Sequence, residues 1–234
     1  MAHTHSEDKD IVINAAACLD IRKKPRKTYH SRHQNIMAHP FKSERLLYRA
    51  VEPEDEAFFH QIAQDAFGMQ NAEARISKPV SKAQTKDFMK QLMEEMLLSV
   101  VICLPATSTT EKDAPPTPIG QMHLIALPPH HVHMRHTDIG LDILPEYQRK
   151  GYGSEAIRWV LRWAFMSAGM HRIGLAAFEY NSGAVRLYER LGFTREGVMR
   201  EGIWHEGRFW DEIQFGMLAR EWREMHAKRD VAVR

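Results

Sequence analysis

Cysteine is scarce in this 234-residue chain: the two present, Cys18 and Cys103, are too few for a disulfide framework and lack metal-ligand spacing. Excess charge of one sign is also missing. Thirty-two Lys and Arg stand against 30 Asp and Glu, a formal charge of +2, which gives no reason in itself to expect a nucleic-acid partner. No apolar run reaches the roughly 18 residues of a membrane-spanning helix, so no membrane association is expected. The polar, acidic opening Met1–Asp10 is not expected to act as a secretory signal. Internal repeats are absent. So are a full G-x-G-x-x-G dinucleotide fingerprint and the Gly-Lys-Ser/Thr of a nucleoside-triphosphate loop. What remains is a globular composition, 44% hydrophobic and 26% charged, long enough to bury a core without a covalent staple.

Three regions are expected. Residues 1–40 lack sustained periodicity and carry the basic cluster Arg22-Lys23-Lys24-Pro25-Arg26-Lys27. They read as a flexible basic arm, with a nuclear address or polyanion contact as the competing reading. Residues 41–226 form the domain and 227–234 a short tail. A first strand is expected over 44–51, and Pro53 with Glu54, Asp55 and Glu56 suits the start of a helix. Residues 68–80 read as a loop. Ser81 is a cap residue for a helix with Phe88, Leu92 and Met96 on one face. Strands are expected over 97–104, 119–127 and 138–144. The first two are joined by a proline-rich connection unfit for a central strand. The last two are joined by a turn carrying His130, His131, His133 and His136. Those four histidines read as a flexible turn rather than a metal site, since nothing supplies a fixed second shell.

The most informative segment is Gln148-Arg149-Lys150-Gly151-Tyr152-Gly153-Ser154. It follows a strand and opens a helix whose apolar face is Ile157, Leu161, Ala164 and Phe165, with Gly169 placed to end it. Gly151 and Gly153 let a ligand approach the main chain. The first N–H groups of the helix lack intrahelical partners and favour an anion. The pattern is a pyrophosphate seat; a strand–turn–helix junction using glycine only for its geometry is the plainer reading. A strand follows over 172–178. Next comes a short helix capped by Ser182, with Val185, Tyr188 and Leu191 on one face and Gly192 at its end.

These elements resemble the GNAT superfamily of N-acyltransferases. Gln148, Gly151 and Gly153 match its acyl-CoA motif. Asn181, Ala184, Tyr188, Gly192 and Phe193 match its second motif. Residues 193–222, with the opening Glu44-Arg45-Leu46, look like the RimJ/RimL branch. The resemblance implies an α+β, three-layer fold: a mixed, mostly antiparallel sheet with helices on both faces, whose fourth and fifth strands splay apart. It implies acetyl-CoA as cosubstrate and no metal. Pantetheine would lie along Leu141, Asp142, Ile143 and Leu144, and the pyrophosphate on Arg149, Lys150, Gly151, Tyr152, Gly153 and Ser154. Asn181 and Ala184 would also touch the cofactor, although Asn181 equally suits a helix-entry turn.

Tyr188 matches the family's general acid. For the base, Asp138 at the start of the fourth strand and Glu179 at the end of the fifth are both candidates. Arg200 and Asp211 are expected to pair across the last hairpin. Trp204, His205, Phe209 and Trp210 there are packing residues or part of an acceptor pocket. The implied reaction is acetyl transfer to a primary amine by direct attack, on a small-molecule amine or a peptide N-terminus. A catalytically silent acyl-CoA-binding module is the alternative. The chain is expected to be cytoplasmic, with a nuclear location also open, and monomeric or homodimeric.

Overall fold

A computed structural model describes residues 39–106 and 114–232, with side chains to 227; the basic arm to residue 38 lies outside the described residues. The chain order is β1 (Leu47–Arg49), a 3-10 turn (Pro53–Asp55), α1 (Glu56–Gln64), α2 (Ala66–Ala72), α3 (Lys82–Glu94), β2 (Met96–Leu104) and β3 (Thr117–Ile125). It continues with a 3-10 helix (Pro129–Met134), β4 (His136–Ile143), α4 (Tyr152–Met166), β5 (Arg172–Phe178), α5 (Ser182–Leu191), β6 (Thr194–His205), β7 (Arg208–Leu218) and α6 (Ala219–Ala232).

Seven strands form one sheet in the order β1-β2-β3-β4-β5-β7-β6. Every pairing is antiparallel except β4 with β5. That parallel pair is short. It joins His136 to Arg172, Thr137 to Ile173 and Asp138 to Gly174, and then stops, so the strands part as expected. Beyond Asp138 the inner edge of β4 carries backbone donors and acceptors with no strand partner, groups that a ligand or water must satisfy.

The strand alternation sends side chains to two cores. On one face Val100, Ile102, Met122 and Leu124 pack with Ile157, Val160 and Phe165 of α4 and with Trp222. On the other, Val101 and Cys103 meet Phe58, Phe59 and Ile62 of α1 and Met89 and Leu92 of α3. The sheet is thereby covered on both sides and the opening between β4 and β5 passes through it. No helix among the described residues is long and apolar enough to cross a membrane.

Ser81 caps α3 in a reciprocal box: its Oγ accepts from Gln84 N–H at 3.2 Å, and Gln84 Oε1 accepts from Ser81 N–H at 3.0 Å. Several local expectations are corrected. The first strand is limited to Leu47–Arg49. The segment expected as a loop from 68 to 80 begins inside α2, whose start is set by Asp65 Oδ1 accepting from Gly68 N–H at 3.0 Å. The cap of α5 is Asn181 rather than Ser182, its Oδ1 accepting from Ala184 N–H at 3.2 Å. α4 reaches its cap at Ser167, and Gly169, left-handed at φ 68, turns the chain away just beyond it, in keeping with its expected place at the helix end. Asp211 does not pair with Arg200; its Oδ1 accepts from Glu201 N–H at 2.8 Å. The irregularity between Met199 and Ile203 displaces that stretch from hairpin register.

Candidate active site

A cleft of about 1180 Å³ runs from the turn before α4, through the gap between β4 and β5, to the side covered by α1, α2 and α3. Its first wall is the turn itself. Arg149 (φ 60) and Gly151 (φ 86) both have left-handed backbone conformations, so successive amides curl toward one side, the geometry of an anion nest. Glycine reaches that conformation without penalty; Arg149 holds it at a cost of about 1 kcal/mol. Gly151 is the N-cap of α4, leaving the N–H groups of the first turn unpaired within the helix. Gln148, Arg149, Gly151, Gly153 and Ser154 line the cleft, as do Asn181, Ala184, Arg186 and Arg190 near α5. The unpaired amides and three arginines fit a phosphate-bearing ligand.

Two polar residues brace this wall. Gln148 Nε2 donates to Ile143 O at 2.8 Å, tying the turn to the end of β4. Arg45, from the segment before β1, donates from Nη1 to Lys150 O at 3.0 Å and pairs through Nε with Glu155 Oε2 at 2.7 Å. Glu155 also accepts from Ser43 Oγ at 2.6 Å and from Arg45 N–H at 2.7 Å. Its carboxyl is therefore held below its usual range by Ser43 and Arg45, against the opposing effect of burial. A carboxylate one turn into α4 would repel an anion at the helix start; here its charge is matched. Lys150 and Tyr152 do not line the cleft. The Lys150 ammonium lies 5.5 Å from the Tyr147 ring centroid, and the Arg45 guanidinium 4.8 Å from that of Tyr152.

The strand wall is Ile139–Leu144. Leu144 N–H donates to Ile119 O at 2.9 Å. By antiparallel alternation, Leu141 and Ile143 turn their backbone groups toward the opened edge. The side chain of Asp142 projects to the α1–α3 side and accepts from Gln121 Nε2 at 2.6 Å. Burial raises its pKa, partly offset by Gln121. Tyr188, on α5, lies within the cleft with its ring 5.7 Å from Phe215 and 6.0 Å from Phe193. Burial, helped by the charge of Asp142, pushes its pKa up to about 12, so the phenol keeps its proton at neutral pH.

The two candidate bases part company. Asp138 lines the cleft at the last β4–β5 pair, its carboxylate lying over Gly174. Glu179 lines a separate depression with Arg186, Arg195 and Asp211. Sequence reasoning missed Arg45, Arg186, Arg190, Gln121 and His123. For the last two a signal existed: two polar residues at i and i+2 inside an otherwise apolar central strand. The opposite end of the cleft carries the carboxylates Asp65, Glu73, Asp138 and Glu212. Among the described residues no cluster of His, Cys, Asp and Glu could hold a metal, and the histidine-bearing turn is a 3-10 helix over Pro129–Met134.

Comparison with known proteins agrees with this geometry. The uncharacterized N-acetyltransferase YoaA of Bacillus subtilis is 29% identical over 174 residues, 72% of this chain and 90% of YoaA. The spermidine N(1)-acetyltransferase of Vibrio cholerae is 34% identical over 100 residues, 43% of this chain and 56% of that protein. The crystal structure of the spermidine N-acetyltransferase from Vibrio cholerae in complex with CoA and spermine superposes with a TM-score of 0.62 at 25% identity, over 76% of this chain and 98% of that one. An acetyltransferase of the GNAT family from Bacillus anthracis shares the fold, with a TM-score of 0.63 at 24% identity, over 77% and 98%. Residues 45–194 match the acetyltransferase (GNAT) domain family, and the chain is a member of that family of N-acetyltransferases.

Proposed function

We propose that the chain transfers an acetyl group from acetyl-CoA to the primary amine of a small cationic molecule, within a ternary complex. The observation that carries this reading is the single cleft joining a cationic, amide-rich wall to an acidic one through the gap between β4 and β5. On the first side, Arg149, Gly151, Gly153 and Ser154 with Arg186 and Arg190 suit the diphosphate of CoA. The backbone groups of Leu141 and the N–H of Ile143, whose carbonyl already accepts from Gln148 Nε2, suit the amides of pantetheine. On the other side, Asp65 and Glu212 suit a cation, while Glu73 is already paired with Arg75.

The thioester supplies an activated acetyl carbonyl at the gap. Asp138 receives a proton from the amine, directly or through water, as the amine nitrogen bonds to that carbon. Tyr188 gives its phenolic proton to the sulfur as the C–S bond breaks. The phenol then regains a proton from solvent, and CoA leaves as the thiol. Asp138 is the favoured base because it lines the cleft, whereas Glu179 lines a different depression.

A small amine is favoured over a peptide N-terminus by the acidic end and by α2, which lies over the region where an extended peptide would need an open groove. The test is thiol release from acetyl-CoA across polyamines, amino acids and N-terminal peptides. Release with polyamines supports the reading. CoA binding without release for any amine would instead mark a silent acyl-CoA module.

A further inference from the structure

β3 is a central strand, yet it directs two polar side chains, Gln121 and His123, to the α1–α3 face. Gln121 is only 1% exposed. Its Nε2 donates to Asp142 Oδ2 at 2.6 Å, which leaves Oε1 facing His123 Nδ1 at 3.1 Å. A carbonyl oxygen only accepts, so the hydrogen of the imidazole sits on Nδ1. Burial pushes the His123 pKa down to about 4, so the ring is neutral at working pH. A neutral ring with its hydrogen on Nδ1 has a lone pair on Nε2, and Nε2 has no hydrogen bond among the described residues.

The ring sits where a substrate contact is needed. His123 is opposite Gly140 in the β3–β4 register, and a Cβ at position 140 would collide with the imidazole. Glycine there lets the ring lie against β4. Gly140 is two residues beyond Asp138, the last residue of β4 paired with β5, so the ring borders the start of the gap. Phe88 meets it from α3, with centroids 6.3 Å apart, and both side chains line the cleft on its acceptor end.

We propose that His123 Nε2 accepts an N–H hydrogen bond from the incoming amine and so aims the amine's lone pair at the gap between β4 and β5. Asp142 and Gln121 are positioning residues, acting through the tautomer they impose on His123. A neutral primary amine has two N–H groups and one lone pair; fixing one N–H on Nε2 and offering another to Asp138 leaves the lone pair for the carbonyl carbon. The inference rests on the acetyl-transfer reading and deepens it by naming a contact on the acceptor side.

Two substitutions separate this role from a structural one. His123→Asn keeps a donor near the Nδ1 position for Gln121 but has nothing at Nε2. His123→Gln keeps an acceptor near Nε2 but gives up the Nδ1 geometry. The expected result, with spermidine as the probe amine, is a loss of at least about tenfold in kcat/KM for H123N. H123Q should fall by less than about threefold, and CoA affinity should be unchanged in both. H123N near wild type, or equal losses in both variants, would overturn the proposal. Nitrogen-15 NMR of His123 in the wild-type chain is a second measurement that needs no variant. A hydrogen on Nδ1 agrees with the proposal. A hydrogen on Nε2, the result if a protonated Asp142 donated to Gln121 and reversed the chain of bonds, would overturn it. Failure of the wild-type chain to acetylate any amine strikes the acetyl-transfer reading itself, and is seen before either variant is made.

Discussion

Arg45 Nε lies 2.7 Å from Glu155 Oε2, and through this contact a residue ahead of the first strand sets the charge at the start of α4. The same guanidinium holds the Lys150 carbonyl at 3.0 Å, so the ion pair and the shape of the phosphate turn are coupled. Arg45→Ala should weaken CoA binding about three- to tenfold, because Glu155 would then oppose the diphosphate at the helix start. Calorimetry with CoA measures this. Adding Glu155→Gln to the same chain should recover most of the loss, and the gap should narrow in high salt. No change in affinity for Arg45→Ala would show that the anion sits elsewhere.

Tyr188→Phe removes one oxygen from a ring that is otherwise held by Phe193 and Phe215. Turnover with a polyamine should fall about 100-fold, the lower range of general acid contributions, while CoA affinity stays within twofold. With its pKa pushed up to about 12, the wild-type phenol remains protonated far into alkaline conditions. Activity should therefore show no loss from this group between pH 7 and 9, and any alkaline limb in that range must come from another group.

The features legible in sequence were those whose cause is local. Gly151 and Gly153 announce a close approach of the main chain, and the apolar spacing after them announces α4. Asn181, Tyr188 and Gly192 stand at helix positions fixed by their own turn. The features missed depend on distance or on weak patterns. Arg45 reaches Glu155 across 110 positions, and nothing around residue 45 signals it. α2 has no buried residue, so it lacks the apolar stripe that reveals a helix. Asn181 and Ser182 are adjacent cap formers, and only backbone geometry selects between them. The Arg200–Asp211 expectation assumed a regular hairpin, and the irregularity between Met199 and Ile203 removes that register. Gln121 and His123 gain meaning only when β3 is set against β4.

His123 should make the fold sensitive to mild acid. Its folded pKa of about 4 lies below the ordinary value of 6.5, so below pH 6.5 the unfolded chain binds a proton that the folded chain refuses. Stability is then fully present above 6.5 and falls as pH drops toward 4, by up to roughly 3 kcal/mol over that window. Asp142, with its pKa raised, acts with the opposite sign, so the total slope is not assignable to one residue. The difference between wild type and His123→Asn is. Urea unfolding at pH 7 and pH 4.5 should show the stability gap between the two proteins shifting toward the variant as pH falls. A gap independent of pH would mean that the imidazole titrates normally in the folded chain.

Tyr180 links the acceptor end of the cleft to the last hairpin. Its hydroxyl donates to Gln70 O at 2.5 Å, its ring stacks on His205 with centroids 4.1 Å apart, and Trp210 meets it edge-on at 5.5 Å. α2 buries no residue of its own, so this bond is a large part of what holds it over the cleft. Tyr180→Phe keeps the stack and deletes the bond, at a cost of about 1 kcal/mol. The amides of residues 66–72 should exchange with solvent about fivefold faster, and KM for the amine should rise about threefold. CoA affinity should not move, because Gln148–Ser154 lie on the other wall. If exchange quickens while KM stays constant, α2 does not contact the acceptor, and the carboxylates Asp138 and Glu212 on the strands carry its recognition alone.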